Sequence, residues 1–251
     1  MQDNLKSAIG ILGGTGPDAT IDIQKKLINI MKRVCSVKQD QDHIRVIVDN
    51  NPHIPDRNNA LLQNEESPFE YYMEGIKQLV SFGANVIIIP CNTAHAYFEE
   101  IQGRSPVKII NMIEVVAIYL AKHYANVKAF GLLSTPATAL LGLYQTYLNR
   151  YDQEALCPNT KALGRVHHAI KLIKKSFGSD DQASIREAKQ ILNDEIKRFR
   201  AKNISHIILG CTELPLLFEE KYFENSCLID PNYIVANAAI EYYLTTKYEV
   251  K

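Results

Sequence analysis

The sequence predicts an α/β fold made of two similar halves, each built around a parallel sheet. Three observations predict it. Short apolar, β-rich runs alternate with amphipathic stretches along the chain, the runs are apolar enough to be covered on both faces, and the pattern of the first half recurs in the second.

In chain order, strands are expected over 8–12, 44–48, 85–90, 107–110, 127–133 and 206–209. Helices are expected over 18–34, 68–82, 93–102, 112–123, 136–148, 164–177, 180–202 and 231–246. Ser67-Pro68 and Asp230-Pro231 each set a capping side chain before a proline at the first helical position, where the missing N–H has no intrahelical partner to lose. In the 180–202 helix, Ile185, Ala188, Ile191, Leu192, Ile196 and Phe199 recur at spacings of three to four and form one buried stripe.

The repeat sets the organisation. AIGILGGTGPDAT, starting at Ala8, is similar to AFGLLSTPATA, starting at Ala129: a strand, a turn of Gly, Ser or Thr, then proline at a helix start. ANVIIIPCNTAH, starting at Ala84, is similar to ISHIILGCTELP, starting at Ile204: an apolar strand that ends in a cysteine and threonine and then enters a helix. Gly10 to Cys91 spans 81 residues and Gly131 to Cys211 spans 80, so two matched pairs stand at a matched interval. The expected domains are therefore 1–112 plus 216–251, carrying Cys91, and 113–215, carrying Cys211. A pseudo-twofold relation between them would place both cysteines on one cleft.

Composition excludes several classes of function. With 28 Lys+Arg against 28 Asp+Glu the chain has no net charge, which removes the electrostatic reason to expect nucleic acid or acidic lipid as partner. At 46% hydrophobic and 22% charged residues it is an ordinary globular chain, not a disordered one. No apolar run approaches the roughly 18–20 residues needed to cross a bilayer, so no membrane partner is expected. The N-terminal MQDNLKSAIGILGG lacks the basic, apolar and small-residue regions of a secretory leader. The five cysteines are odd in number, widely spaced and never in CxxC, which favours free thiols in a cytoplasmic protein over a disulfide framework or zinc ribbon. His167 and His168 are adjacent and point to different faces of a helix, and no HxH or HExxH occurs, so no metal is expected. GGTGP lacks the GxGxxG of a dinucleotide fingerprint.

Cys91 and Cys211 are the candidate reactive groups. Each is expected at the carboxyl end of a parallel strand, where ligands bind in such sheets, and just before a helix whose N-terminus would lower a thiol pKa from about 8.5 toward neutrality. Opposed thiols suit the inversion of a stereocentre, with a base taking a proton from one face and an acid returning one to the other. Cys35, Cys157 and Cys227 have no such matched context and read as structural.

GGTGP from Gly13, NNPHIPDR from Asn50, PCNTAH from Pro90 and GCTEL from Gly210 together resemble the aspartate/glutamate racemases, over nearly the whole chain and in order. That resemblance implies two α/β domains, a cysteine pair that works without pyridoxal phosphate, metal or other cofactor, a small acidic amino acid as substrate, and a homodimer. It identifies Cys91 and Cys211 with the catalytic pair, Cys211 serving the L-enantiomer and Cys91 the D-enantiomer. It implies that Asn92 and Thr93, with Ser134, Thr135 and Thr212 in the second half, receive the α-carboxylate. Arg57 matches the arginine of the aspartate-type IPDR loop, which holds the side-chain carboxylate through its guanidinium fork. Lys174 matches a lysine near the distal carboxylate, with Lys171 and Lys175 as rivals. Thr15 and Asn58 depart from the methionine and threonine usual at their positions, and both positions can face the substrate. Asp49, Asp56 and Glu213 are candidate orienting groups, and His95 is expected to buttress the Cys91 loop. Two rivals stay open: a related isomerase, such as one acting on maleate, and a bilobed amino-acid binder without turnover, which would have no need of opposed thiols.

Overall fold

The structure, a computed structural model, describes residues 7–218 and 221–249, with side chains to 246. Residues 1–6, where no leader is read, lie outside the described residues, as do 219–220 and 250–251 of the expected first domain. Contacts divide the chain into two compact units, one running to Val115 and resuming at Asn232, the other Val116–Pro231.

The first unit contains β1 (Ala8–Gly13), α1 (Pro17–Val34), β2 (Val46–Asn50), α2 (Arg57–Gln63), α3 (Phe69–Ser81), β3 (Ala84–Ile88), α4 (Phe98–Arg104), β4 (Lys108–Ile110), the start of α5 (Met112–His123), and α10 (Pro231–Glu249) from Asn232 onward. Its sheet is parallel in the order β2-β1-β3-β4. Alternation along the central strands feeds two cores. Ile9, Ile11, Val86 and Ile88 pack with Ile23 and Leu27 of α1 and with Val235, Ala239 and Ile240 of α10. Leu12, Ile87 and Ile89 face Tyr72, Ile76 and Leu79 of α3, in the same cluster as Cys91. Each fully buried isoleucine contributes about 1.5–3 kcal/mol by leaving water, so these strands are held by both faces.

The second unit contains β5 (Ala129–Ser134), α6 (Pro136–Leu140), α7 (Leu143–Leu148), β6 (Glu154–Leu156), α8 (Thr160–Ser176), α9 (Gln182–Arg200), β7 (His206–Gly210), β8 (Tyr222–Phe223) and β9 (Ser226–Ile229). The sheet order is β6-β5-β7-β9-β8, parallel except for β8. Leu133, Ile207 and Leu209 pack against Val166, Ile170 and Ile173 of α8 and Ala188, Leu192 and Ile196 of α9. The buried face of α9 also holds Glu195, which pairs with Arg165 and Arg198.

The two sheets share a plan. β1 and β5 occupy the same place in their sheets, as do β3 and β7, so the repeated sequence segments occupy equivalent strands. Mixed α/β structure with sheets dominated by parallel strands is what the alternation predicts.

Several local expectations differ. The segment 216–231, expected in the first domain, belongs to the second unit, because β8 and β9 extend the sheet beyond β7. One helix over 136–148 is expected; Gly142, at φ 63°, breaks it into α6 and α7. The helix expected over 93–102 begins as a 3₁₀ turn, Thr93–Tyr97, before α4. A helix in the IPDR loop was not expected: Asp56 caps α2 by accepting from the Asn59 N–H at 2.9 Å, and Asn64 ends it in the left-handed conformation. The three-residue β6 and the short β8 and β9 carry too few alternating positions to read as strands.

Candidate active site

In the first unit, the turn after β1 lies against the loop after β2. Gly14 has φ +88°, and a Cβ there would fall 2.2 Å from the Asn51 carbonyl, so only glycine allows that approach. Thr20 of α1 closes the turn, accepting from the Gly14 N–H and donating to the Gly16 carbonyl, both at 3.1 Å. The adjoining loop carries Arg57, the first residue of α2, which is only 7% exposed. Its guanidinium donates to the carbonyls of Thr15 at 2.9 Å, Pro55 at 3.0 Å and Ile54 at 3.4 Å. The Cys91 side chain is an electrostatic neighbour of the guanidinium. Burial by itself would lower the guanidinium's pKa, but the acidic groups of Cys91, Tyr72 and Asp56 around it raise it instead.

Cys91 is buried three residues beyond β3, in a tight turn where its N–H meets the Ile89 carbonyl at 2.8 Å. Asn92 and Thr93 follow and are buried. His95 ties the turn to the start of α5. Its Nδ1 bonds the Cys91 carbonyl at 2.9 Å, and its Nε2 accepts from the Met112 N–H at 3.0 Å. An accepting Nε2 leaves the proton on Nδ1, which donates to Cys91. Burial keeps this imidazole's pKa below the ordinary histidine value.

Structure thus brings Thr15, Arg57, Cys91, Asn92, Thr93 and His95 to the carboxyl edge of the first sheet. Asp56 is placed otherwise: it is exposed and serves as the cap of α2. Asp49, within β2, has a carboxyl whose pKa is raised by partial burial.

In the second unit, Cys211 follows β7 directly and is 6% exposed. Ser134 pairs in register with Gly210, so the β5 turn lies beside the cysteine. Ser134 Oγ donates to the Thr135 carbonyl at 3.2 Å and Thr135 Oγ1 to Thr138 Oγ1 at 3.1 Å, in a buried row of hydroxyls. Glu213 is buried and takes three groups: Cys211 Sγ donates to Oε2 at 2.9 Å, Thr212 Oγ1 donates to Oε2 at 3.3 Å, and Lys174 Nζ lies 2.8 Å from Oε1. Of the three lysines considered on α8, Lys174 is the one paired with Glu213.

The expected lowering of the thiol pKa is overturned at Cys211. Burial first, and then the Glu213 charge, push this thiol well above the ordinary cysteine value, against a smaller opposing effect of Lys174. The helix that follows is a four-residue 3₁₀ turn, Leu214–Leu217, too short to supply a strong N-terminal field. Glu213 itself stays ionised: burial raises its pKa, but Lys174 and the Cys211 hydrogen bond outweigh that and leave it lowered.

One pairing and one residue of this geometry have no signal in the motifs. The Lys174–Glu213 pair links elements 39 positions apart (213 minus 174), which spacing along one chain cannot reveal. Tyr72 lies in the apolar stripe of α3 and reads as core, yet it is an electrostatic neighbour of both Arg57 and Cys91.

The Asp/Glu/Hydantoin racemase family model matches residues 12–239. The chain is 32% identical to the solved Picrophilus torridus aspartate racemase, with a TM-score of 0.79, covering 95% of this chain and 94% of that one. It is 25% identical over 236 residues to the broad specificity amino-acid racemase RacX of Bacillus subtilis (strain 168), covering 94% of this chain and 98% of that protein. It is 26% identical over 183 residues to the glutamate racemase of Aquifex aeolicus (strain VF5), covering 70% and 66%. With the matched stretch spanning both units and both cysteines, the chain belongs to the Asp/Glu/Hydantoin racemase family.

Proposed function

We propose that the protein interconverts the L- and D-forms of an acidic amino acid, aspartate ahead of glutamate, with Cys91 and Cys211 exchanging the Cα proton and no added cofactor. One observation carries the acidic substrate. Arg57 is buried beside Cys91 and makes its hydrogen bonds to backbone carbonyls, with no carboxylate paired to it among the described residues. Its Nε is buried with no hydrogen-bond partner among the described residues, and a substrate carboxylate supplies one. The family and the Picrophilus aspartate racemase support the same reading.

In this reading, the charge asymmetry of the cysteines sets the resting proton inventory. Cys211, hydrogen-bonded to Glu213, is held protonated in the resting site, and Cys91 is the second thiol of the exchange. Removal of the Cα proton builds negative charge on the α-carboxylate. On this reading the buried strand-end residues Asn92, Thr93, Ser134, Thr135 and Thr212 receive that charge as preorganised donors. The reprotonating thiol then delivers its hydrogen from the opposite face.

The test is incubation of the protein under reducing conditions with each enantiomer of aspartate and of glutamate, read by chiral chromatography. Appearance of the opposite enantiomer, fastest with aspartate, is the expected result. Turnover of neither, with fumarate formed from maleate, overturns the racemase reading in favour of a cis-trans isomerase.

A further inference from the structure

Tyr72 is a fully buried tyrosine in the first turn of α3 whose hydroxyl oxygen has no hydrogen-bond partner among the described residues. Buried phenols almost always find one, because an unmet hydroxyl in a core is costly. Topology says where this one lies. α3 ends at Ser81 and the chain enters β3 at Ala84, so α3 runs antiparallel to the strands and its first turn is at their carboxyl edge. That edge carries Thr15, Arg57 and Cys91. Tyr72 shares a buried cluster with Ile54 and Cys91, its ring lies 6.4 Å from that of Tyr97, and it interacts electrostatically with the Arg57 guanidinium and with Cys91.

We propose that Tyr72 is a substrate-binding residue on the Cys91 side: its hydroxyl donates to the carboxylate that Arg57 receives, and so helps to select an acidic side chain. This deepens the acidic-amino-acid reading and rests on it. Arg57 already has three backbone carbonyls to hold, so a second, neutral donor completes the reception of a carboxylate without adding charge. Burial holds the phenol's pKa well above its ordinary value, so it remains a donor throughout the pH range of the enzyme.

The experiment compares the full-length wild-type protein with Tyr72→Phe, which keeps the ring and removes only the hydroxyl. Racemisation of L- and D-aspartate is measured together with the thermal midpoint, with and without saturating aspartate. The expected result is a fall in kcat/KM of about tenfold or more, the size of a lost hydrogen bond to a charged group. The ligand-free midpoint is expected to stay at or rise above that of the wild type, while the midpoint increase on adding aspartate shrinks. A residue that merely fills the core moves neither kcat/KM nor that ligand-dependent increase, and such a result overturns the proposal. If the wild-type protein itself neither turns over aspartate nor is stabilised by it, the acidic-substrate reading fails and this role falls with it; normal wild-type behaviour with an unaltered variant removes the role of Tyr72 alone.

Discussion

Cys211 Sγ donates a hydrogen bond to Glu213 Oε2 at 2.9 Å, and both groups are buried. A thiol bonded to an ionised carboxylate in a dry site is held protonated. On the other unit, Cys91 has a guanidinium as its charged neighbour. The repeated segments thus carry the same thiol beside charges of opposite sign.

Glu213→Gln removes the negative charge beside the thiol, and the neutral amide keeps the shape. The thiolate of Cys211 becomes easier to form, so iodoacetamide labelling of Cys211 in the variant should begin at lower pH than in the wild type. Mass spectrometry of the Cys211 peptide across pH 7–10 measures this; an unchanged labelling profile would mean that Glu213 does not govern the thiol.

Lys174→Met leaves Glu213 buried without its cation. The lysine side chain is 35% exposed, so the loss is smaller than for a fully buried pair, about 1–2 kcal/mol by urea denaturation. The same substitution should raise the Glu213 pKa, since Lys174 is the main influence lowering it. Lys171→Met and Lys175→Met are expected to leave stability nearly unchanged.

His95 gives a pH dependence whose sign follows from its burial. Its folded pKa lies below the ordinary value of 6.5, so at mildly acid pH the unfolded chain binds a proton that the native state does not. Stability contributed by the neutral ring is present above that value and is lost as pH falls through the window below it. His95→Ala also strands the Cys91 carbonyl and the Met112 N–H, and should cost about 2–4 kcal/mol at pH 7.5. Denaturation at pH 7.5 and 5.5 checks both statements.

Arg57→Lys keeps the charge and loses the planar fork that reaches three carbonyls. Its kcat/KM for aspartate should fall about a hundredfold, chiefly through KM, since each lost charge-assisted bond is worth roughly tenfold. Wild-type kinetics in this variant would place the distal carboxylate elsewhere.

Much of this was legible in the chain because the informative features are local. Strand alternation, such as Ile9 and Ile11 against Leu12, and the recurrence of a cysteine at a strand end, both survive as patterns within a dozen residues. What stayed hidden is what folding brings together from afar. Lys174 could not be separated from Lys171 and Lys175 by spacing, because all three suit a helix face, and only the position of Glu213 distinguishes them. Burial of Arg57 was likewise invisible, since an arginine in a polar loop reads the same whether solvated or enclosed. The charge of Glu213 two positions from Cys211 was in plain sight, but its effect depends on desolvation, which sequence does not express; the expected helix-dipole effect pointed the other way. Asp56, a carboxylate beside a key arginine, has a second use that the motif does not show: it caps α2.

The most direct test of the two-thiol account is solvent-deuterium incorporation at Cα, followed by proton NMR, for L- and D-aspartate with the wild type, Cys91→Ser and Cys211→Ser. The account predicts that the wild type yields the opposite enantiomer deuterated at Cα and that neither single variant racemises either enantiomer. Racemisation retained by both variants would contradict it.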